Sequence, residues 1–397
     1  MKYQFFKELE LSMLGFGTMR LPTAGGVPGA AVDKEEAKRM ITYAYEHGVN
    51  YFDTAYPYHN GESEIVLGSA LRQFPRNSYY IATKYPGHEI HVSYNPQLIF
   101  EEQLEKCGVE YFDFYLLHNI YEYSFKTYTD PQWGIIDYFR EQKRIGRIRH
   151  FGFSAHGDVK IIKEFLDLYG NEMEFCQIEL NYLDWTLQDA KAKYNLLTEL
   201  GIPVWVMEPV RGGRLASLSP ENTARLKEKR PDESAAAWAF RWLQTLPNVK
   251  MILSGMSSMD QVRDNIKTFS TGSPLNTGEV KLIEQVAASM LDLLPCTACR
   301  YCCESCPRRL DIPMLLAYYN DCQFAPSVMP GMKIDALEPA KRPSACIACG
   351  KCKEMCPQGI DIPGVLKSFQ EILDTQPHWA DLRQTPEDIE HKRKASM

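Results

Sequence analysis

Between Leu14 and about Phe269, short apolar runs alternate with longer segments whose apolar residues recur at helical spacing. Ala37, Met40, Ile41 and Ala44 form one such stripe at i, i+3, i+4 and i+7, with Asp33 and Glu36 placed ahead of it as a capping pair. Gly48 closes this predicted helix, and the same joint of helix, glycine and apolar strand recurs at Gly108, Gly146 and Gly201. Predicted strands fall near Leu14–Gly17, Val49–Phe52, Tyr79–Thr83, Phe112–Leu117, Ile148–Phe153, Phe175–Glu179, Val204–Met207 and Met251–Leu253. Eight strands alternating with helices over about 270 residues predict an α/β fold, the (β/α)8 TIM barrel, in both count and length. An open doubly wound sheet is the structural alternative, but no G-x-G-x-x-G follows the first strand, where a dinucleotide fold of that kind would carry it.

A barrel of this type places its chemistry at the C-terminal ends of its strands. Asp53 follows the second strand, Lys84 the third and His118 the fourth. Tyr58 lies five residues beyond Asp53, in a turn containing Pro57, Asn60 and Gly61, before a helix that starts near Glu62. A phenol can give a proton to a carbonyl oxygen, and a nearby carboxylate sets the electrostatics around it. A free Tyr titrates near pH 10, so a neighbouring cation is needed to ease that transfer near neutrality. Each residue alone also suits a structural role, Asp53 as the cap of a solvated turn among them.

The cysteines alter the picture of the C-terminal third. Of twelve, only Cys107 and Cys176 precede residue 296. Cys296, Cys299, Cys302 and Cys306 are followed by Pro307, and Cys346, Cys349, Cys352 and Cys356 by Pro357, each set spaced C-x2-C-x2-C-x3-C-P and separated by fifty residues. This is the two-cluster iron–sulfur spacing, in which the fourth cysteine of each run ligates the other cluster. It predicts one 4Fe-4S cluster on Cys296, Cys299, Cys302 and Cys356, and a second on Cys346, Cys349, Cys352 and Cys306. Zinc is the competing metal. The repeat continues: Asp311-Ile312-Pro313 matches Asp361-Ile362-Pro363, and Ile312, Leu315, Leu316 and Tyr319 share helical offsets with Ile362, Val365, Leu366 and Phe369. Each motif therefore leads into an amphipathic helix, resembling the α-helical ferredoxin type, with a connecting loop over Pro326–Pro343. Cys303 and Cys322 have no counterpart in the repeat and read as ordinary small residues.

The domain organisation follows: a barrel over 1–275, a connecting helix over 276–294 (with apolar Leu282, Ile283, Val286, Met290 and Leu293), a cluster domain over 295–374 and a charged tail over 375–397. A net charge of -7 and a pI near 5.8 argue against a nucleic-acid surface. The N-terminus lacks a signal pattern and no apolar run approaches the roughly 20 residues of a membrane span, so a cytoplasmic protein without membrane partners is expected.

From Leu11 to Asn265 the chain resembles the aldo/keto reductase family. The resemblance rests on GFGTMRLP, DTAYPYHNGESE, GFSAH, QIELNY and EPVRGGRL, and the family's Asp–Tyr–Lys–His tetrad falls in order on Asp53, Tyr58, Lys84 and His118. It implies that Tyr58 is the proton donor with its pKa lowered by Lys84, that Asp53 pairs with Lys84, and that His118 orients the carbonyl. Hydride would pass from NADP or NAD to a small-molecule carbonyl. Ser154 and Gln177 would hold the nicotinamide carboxamide, with Tyr182 near the stacking position. Arg211, Gly212, Gly213 and Leu215 would form the pyrophosphate loop, and Gly17, Thr18, Met19, Asp53, Pro209, Gly255, Ser257, Gln261 and Asn265 would complete the nucleotide site.

Two departures bear on specificity. Met256, Ser257 and Ser258 occupy the run where the family meets a 2′-phosphate with Lys or Arg, and the nearest cation is Arg263, so NAD and NADP both remain open. Asn181-Tyr182-Leu183 and Glu208 stand where the family favours a proline and a small polar residue respectively. The clusters imply electron transfer or regulation; the alternatives are a relay that passes electrons between a redox-protein partner and a substrate other than a carbonyl, or clusters that are purely structural or sensing, and no motif establishes a flavin. Tyr85–Tyr94 and Tyr121–Thr129 are the predicted rim loops for substrate, and their aromatic residues suit either a stacking surface or domain packing.

Overall fold

In the computed structural model the eight apolar runs become β3 (Leu14–Gly17), β4 (Tyr51–Asp53), β5 (Tyr80–Tyr85), β6 (Phe112–Ile120), β7 (Ile148–Ala155), β8 (Cys176–Glu179), β9 (Val204–Met207) and β10 (Val249–Gly255), preceded by a hairpin of β1 (Tyr3–Phe6) and β2 (Leu9–Ser12). The structure describes all residues except 27–29, 89–93, 123, 188, 291–293, 295, 297–298, 325–327 and 377–397. Strands β3 to β10 are parallel and close into a barrel, β10 pairing with both β9 and β3. Strands covered by helices outside and side chains inside are buried on both faces, which is why they read as nearly continuous apolar runs.

The hairpin was not among the predicted elements, and it closes the floor of the barrel. Phe6 stands edge-on to Trp205 at 5.0 Å and against Phe114 at 5.7 Å, in a core that includes Tyr51, Phe175 and Met251. Burying one such side chain contributes about 1.5–3 kcal/mol. Lys7, Lys143 and His150 converge on Glu174 beneath this core. Burial alone would raise that carboxyl's pKa, but hydrogen bonds from His150, Lys143 and Lys7 hold it far below the usual range.

The helices form where the capping pattern predicts. In Lys34–Glu46 the Asp33 carboxylate accepts from Glu36 N at 3.1 Å, and Ala37, Met40, Ile41 and Ala44 are buried. Gly48, at φ 94°, lets the chain turn directly into β4.

The chain divides into two units, the first running to Val286 and the second beginning at Ala287, a boundary inside the helix Thr277–Met290. Within that helix Ile283 and Val286 are buried, while Leu293 of the predicted stripe lies outside the described residues. The second unit carries the fifty-residue repeat into space. Helices Tyr301–Glu304 and Lys351–Glu354 correspond, as do Ile312–Phe324 and Ile362–Asp374. Leu315, Leu316, Leu366 and Phe369 share one core, with Tyr319 edge-on to Phe369 at 6.0 Å. The expected loop over Pro326–Pro343 is instead largely ordered as a helix, Val328–Asp335, and short turns at Pro339–Lys341 and Pro343–Ala345. Pro330 sits in the first turn, where no intrahelical donor is required, so the proline does not break it. The predicted tail lies outside the described residues beyond Gln376. Among the described residues, no helix is long and apolar enough to cross a membrane.

Candidate active site and cluster cavities

Asp53 ends β4, Lys84 is the penultimate residue of β5, and His118 lies near the end of β6, so one rim of the barrel receives all three. Lys84 Nζ donates to Asp53 Oδ1 at 2.5 Å and to the Thr54 carbonyl at 2.7 Å. The same ammonium lies 5.1 Å from the centroid of the Tyr58 ring. Tyr58 in turn meets His118 edge-to-face at 5.9 Å. The structure thus brings the four residues of the sequence pattern together.

A buried network behind Lys84 keeps it in place. Gln103 Nε2 donates to Glu64 Oε1 at 2.7 Å and to the Lys84 carbonyl at 3.1 Å, and its Oε1 accepts from Tyr115 at 2.6 Å. On the other side the Thr18 hydroxyl donates to the Asp53 carbonyl at 2.9 Å, so Thr18, expected at the nucleotide, fastens the strand end that carries Asp53.

Burial dominates the electrostatics. It raises the Asp53 carboxyl, with Lys84 opposing, and lowers the Lys84 ammonium, with Asp53 opposing. Burial, then the charges of Asp53 and Glu208, hold the Tyr58 phenol well above its usual range. The resemblance implies a depression by Lys84; burial and the two carboxylates act here in the opposite direction. Removing Lys84 would leave a buried carboxyl without its partner. Lys84→Met is expected to cost about 3–5 kcal/mol of stability, read from the denaturant midpoint of the barrel. A shift worth less than about 1 kcal/mol would mean that water reaches Asp53.

His88 and Tyr128, both within the predicted rim loops, support His118. Its carbonyl accepts from Tyr128 OH at 2.6 Å, from His88 Nδ1 at 2.7 Å and from His88 N at 3.0 Å, and the His88 and His118 rings lie 4.4 Å apart. Since a carbonyl only accepts, His88 carries its proton on Nδ1. Tyr121 and Tyr128 of the expected aromatic rim loop are buried, Tyr128 acting as a strut between the His118 and Tyr85 carbonyls; Tyr123 and most of Glu89–Tyr94 lie outside the described residues.

Burial, then the positive neighbours His88, Lys84 and His156, lower His118 well below the usual value. The unfolded chain therefore takes up this proton first. The stability from keeping His118 neutral is present above about pH 6.5 and is lost as pH falls below it, by at most about 1.4 kcal/mol per pH unit. Unfolding titrations of wild type and His118→Asn between neutral and mildly acidic pH should diverge by this amount; parallel curves would show that His118 titrates normally.

Ser154 and Gln177 are register partners across β7 and β8. Gln177 Oε1 is buried without a partner, while Nε2 faces Met207 Sδ at 3.6 Å, so an unmet acceptor for an amide N–H lies beside a buried hydroxyl. A nicotinamide carboxamide fits this pair. Tyr182 is buried nearby in sequence, its phenol raised by burial.

Other expected nucleotide residues are engaged inside the protein. Arg211 Nε donates to buried Asp184 at 3.0 Å, which turns its charge inward. Gly212 and Gly213 adopt φ of 64° and 96°, but the amides of Gly213 and Leu215 both donate to the Val210 carbonyl at 3.0 Å. Pro209 and Leu215 are buried, and Gly17 permits close approach to Ser254, whose carbonyl a Cβ there would meet at 3.3 Å. Ser257 N donates to Gln261 Oε1 at 2.7 Å, Asn265 Nδ2 to Ser254 at 2.9 Å, and Arg263 faces Asp260 at 3.6 Å. Met19 stays exposed.

In the second unit the cysteines sort by cavity rather than by motif. Cys296, Cys299, Cys302 and Cys356 line one cavity, together with Pro313, Leu316, Ile360 and Ile362. Cys306, Cys346, Cys349 and Cys352 line another, with Leu310, Ile312, Pro363 and Leu366. Four unpaired thiols around an apolar volume suit the soft iron and sulfide of a cluster. Cys303 and Cys322 line neither. Cys322 is buried in the core, its thiol pushed up to about 12 by burial and Asp321.

Both parts of the chain match known families. Residues 13–288 match the Aldo/keto reductase family and residues 295–360 a 4Fe-4S dicluster domain. The NADH-specific methylglyoxal reductase of Escherichia coli is 25% identical over 71% of this chain and 97% of its own length. L-galactose dehydrogenase of Arabidopsis thaliana is 25% identical over 70% of this chain and 90% of its own. Among solved structures, an aldo-keto reductase of Bacillus halodurans in its holo form superposes with a TM-score of 0.57 at 26% identity, covering 72% of this chain and 96% of that one.

Proposed function

The chain belongs to the aldo/keto reductase family and is an oxidoreductase with a 4Fe-4S domain, and from that premise we propose that it reduces a small-molecule aldehyde or ketone with a nicotinamide nucleotide. The convergence of Asp53, Tyr58, Lys84 and His118 on one rim carries this reading. Ser154 and Gln177 would hold the carboxamide, and the bound nucleotide would supply hydride to the carbonyl carbon. His118, kept neutral by burial, would orient the carbonyl oxygen against Tyr58. Tyr58 would donate its phenolic proton to that oxygen as negative charge develops there. Lys84, braced by Asp53 and Thr54, would stabilise the phenolate until a proton returns from solvent.

The second unit is proposed to carry two 4Fe-4S clusters, one per cavity, with the crossed ligand sets that line them. These cavities favour a second reading, in which the clusters pass electrons between a partner protein and the barrel. A nicotinamide delivers two electrons as hydride whereas a cluster carries one, so that route needs a flavin or a substrate able to support one-electron steps.

Arg263 is set against Asp260, and serines occupy the 2′-phosphate position, which supports NADH as a cofactor at least equal to NADPH. The experiment is an anaerobic assay of the holoprotein with each nucleotide, using methylglyoxal and a panel of simple aldehydes. Cluster oxidation state is followed by EPR in the same sample, together with an assay for bound flavin. Carbonyl consumption with clusters left oxidised supports direct reduction. Cluster reduction by the nucleotide without alcohol formation would favour the relay.

A further inference from the structure

The loop after β9 poses a problem for an anionic ligand. Glu208, on backbone with φ 54°, places a carboxylate beside the Gly212–Gly213 turn, with the carboxylates of Glu179 and Asp184 close enough to act on one another. Arg211 turns inward to Asp184, and Arg263 sits against Asp260 and over the Tyr43 ring at 5.7 Å. Neither is aimed at the glycines.

Arg20 is. It lies just beyond β3, its carbonyl accepting from the Ser257 hydroxyl at 2.8 Å, which ties the loop after β3 to the loop after β10. Its stem runs along Gly255, where an added Cβ would meet Arg20 Cβ, Cγ and Cδ at 3.2 Å. Its head passes over Gly212, where a Cβ would lie 3.1 Å from Nη2, and that nitrogen is 3.6 Å from Glu208 Oε1. The two glycines thus form a cradle filled by a single arginine. At 46% and 27% side-chain exposure the Arg20–Glu208 pair is a loose one, longer than the roughly 2.7–2.9 Å of a close charge-assisted bond. Such partly exposed pairs contribute little stability and exchange partners readily.

We propose that Arg20 is the cation that binds the nucleotide diphosphate, and that Glu208 is its resting counter-ion, displaced when the diphosphate arrives. This rests on the reading of the rim as a nicotinamide-nucleotide site. A guanidinium fork matches two phosphate oxygens at once, whereas a single carboxylate at 3.6 Å uses it poorly. Arg20 and Glu208 therefore act with opposite signs: the arginine favours the bound state, and the carboxylate favours the free state by competing for it. The diphosphate is common to NADH, NADPH and ADP-ribose, so the effect is shared by all three.

The test measures dissociation constants of ADP-ribose, NADH and NADPH for the full-length holoprotein by titration calorimetry, at low and moderate salt. Arg20→Gln is expected to weaken all three by about 10–100-fold and to flatten the salt dependence. Glu208→Gln is expected to tighten all three. Wild-type affinity in Arg20→Gln, a loss confined to NADPH, or weaker binding in Glu208→Gln would each overturn the proposal while leaving the nucleotide site in place. Failure of the wild-type protein to bind any of the three would overturn the nucleotide site and this proposal together.

Discussion

Tyr58→Phe is expected to lower carbonyl turnover by about 10²–10⁴-fold, the contribution typical of a positioned general acid. The substitution removes one oxygen and leaves the ring between Lys84 and His118, so nucleotide affinity and iron content should stay at wild-type values. Neither His118 nor Lys84 is suited to replace the lost proton. Burial keeps His118 neutral, and Lys84 is committed to Asp53 and the Thr54 carbonyl. Single-turnover assays with nucleotide in excess, performed anaerobically, isolate the chemical step. Turnover within about threefold of wild type would remove the phenol from the reaction and shift the weight to the electron-relay reading.

The second large effect concerns the ligand crossing. Cys356→Ala is expected to abolish the cluster held with Cys296, Cys299 and Cys302, and Cys306→Ala the one held with Cys346, Cys349 and Cys352. Iron content should fall from about eight to about four per chain in either case. The spectra provide the sharper criterion. After dithionite reduction, the EPR signal left in Cys356→Ala should match that of Cys299→Ala, not that of its own motif neighbour Cys349→Ala. If Cys356→Ala and Cys349→Ala share a spectrum instead, each motif binds its own cluster and the crossing is wrong.

The parts of this molecule that were legible in the sequence are those with a local signature. The barrel strands are apolar on both faces and punctuated by glycines, so each of the eight stood out along the chain. Cysteine spacing repeats itself, and Asp53, Lys84 and His118 stand at strand ends with Tyr58 in the turn after the first of them. The hairpin Tyr3–Phe6 and Leu9–Ser12 was missed because its main interaction, Phe6 beneath Phe114 and Trp205, joins positions more than a hundred residues apart. The helix Val328–Asp335 was hidden by Pro330, whose place in the first turn matters more than its presence. Arg20 stands inside the GFGTMRLP motif, and His88 and Tyr128 inside the predicted rim loops, but none carries a local sign of its role, which arises only once the strand ends are gathered. Arg211 shows the converse: motif position placed it at the nucleotide, but the side chain found a buried carboxylate instead.

The interleaving of the cysteine sets limits what either copy can lose. Two copies of one ancestral stretch are easily imagined as spare parts, each free to decay while the other works. Here each cavity borrows its fourth thiol from the opposite copy, so a deletion or frameshift in either one damages both. Neither copy could therefore be lost alone and leave the other's site complete.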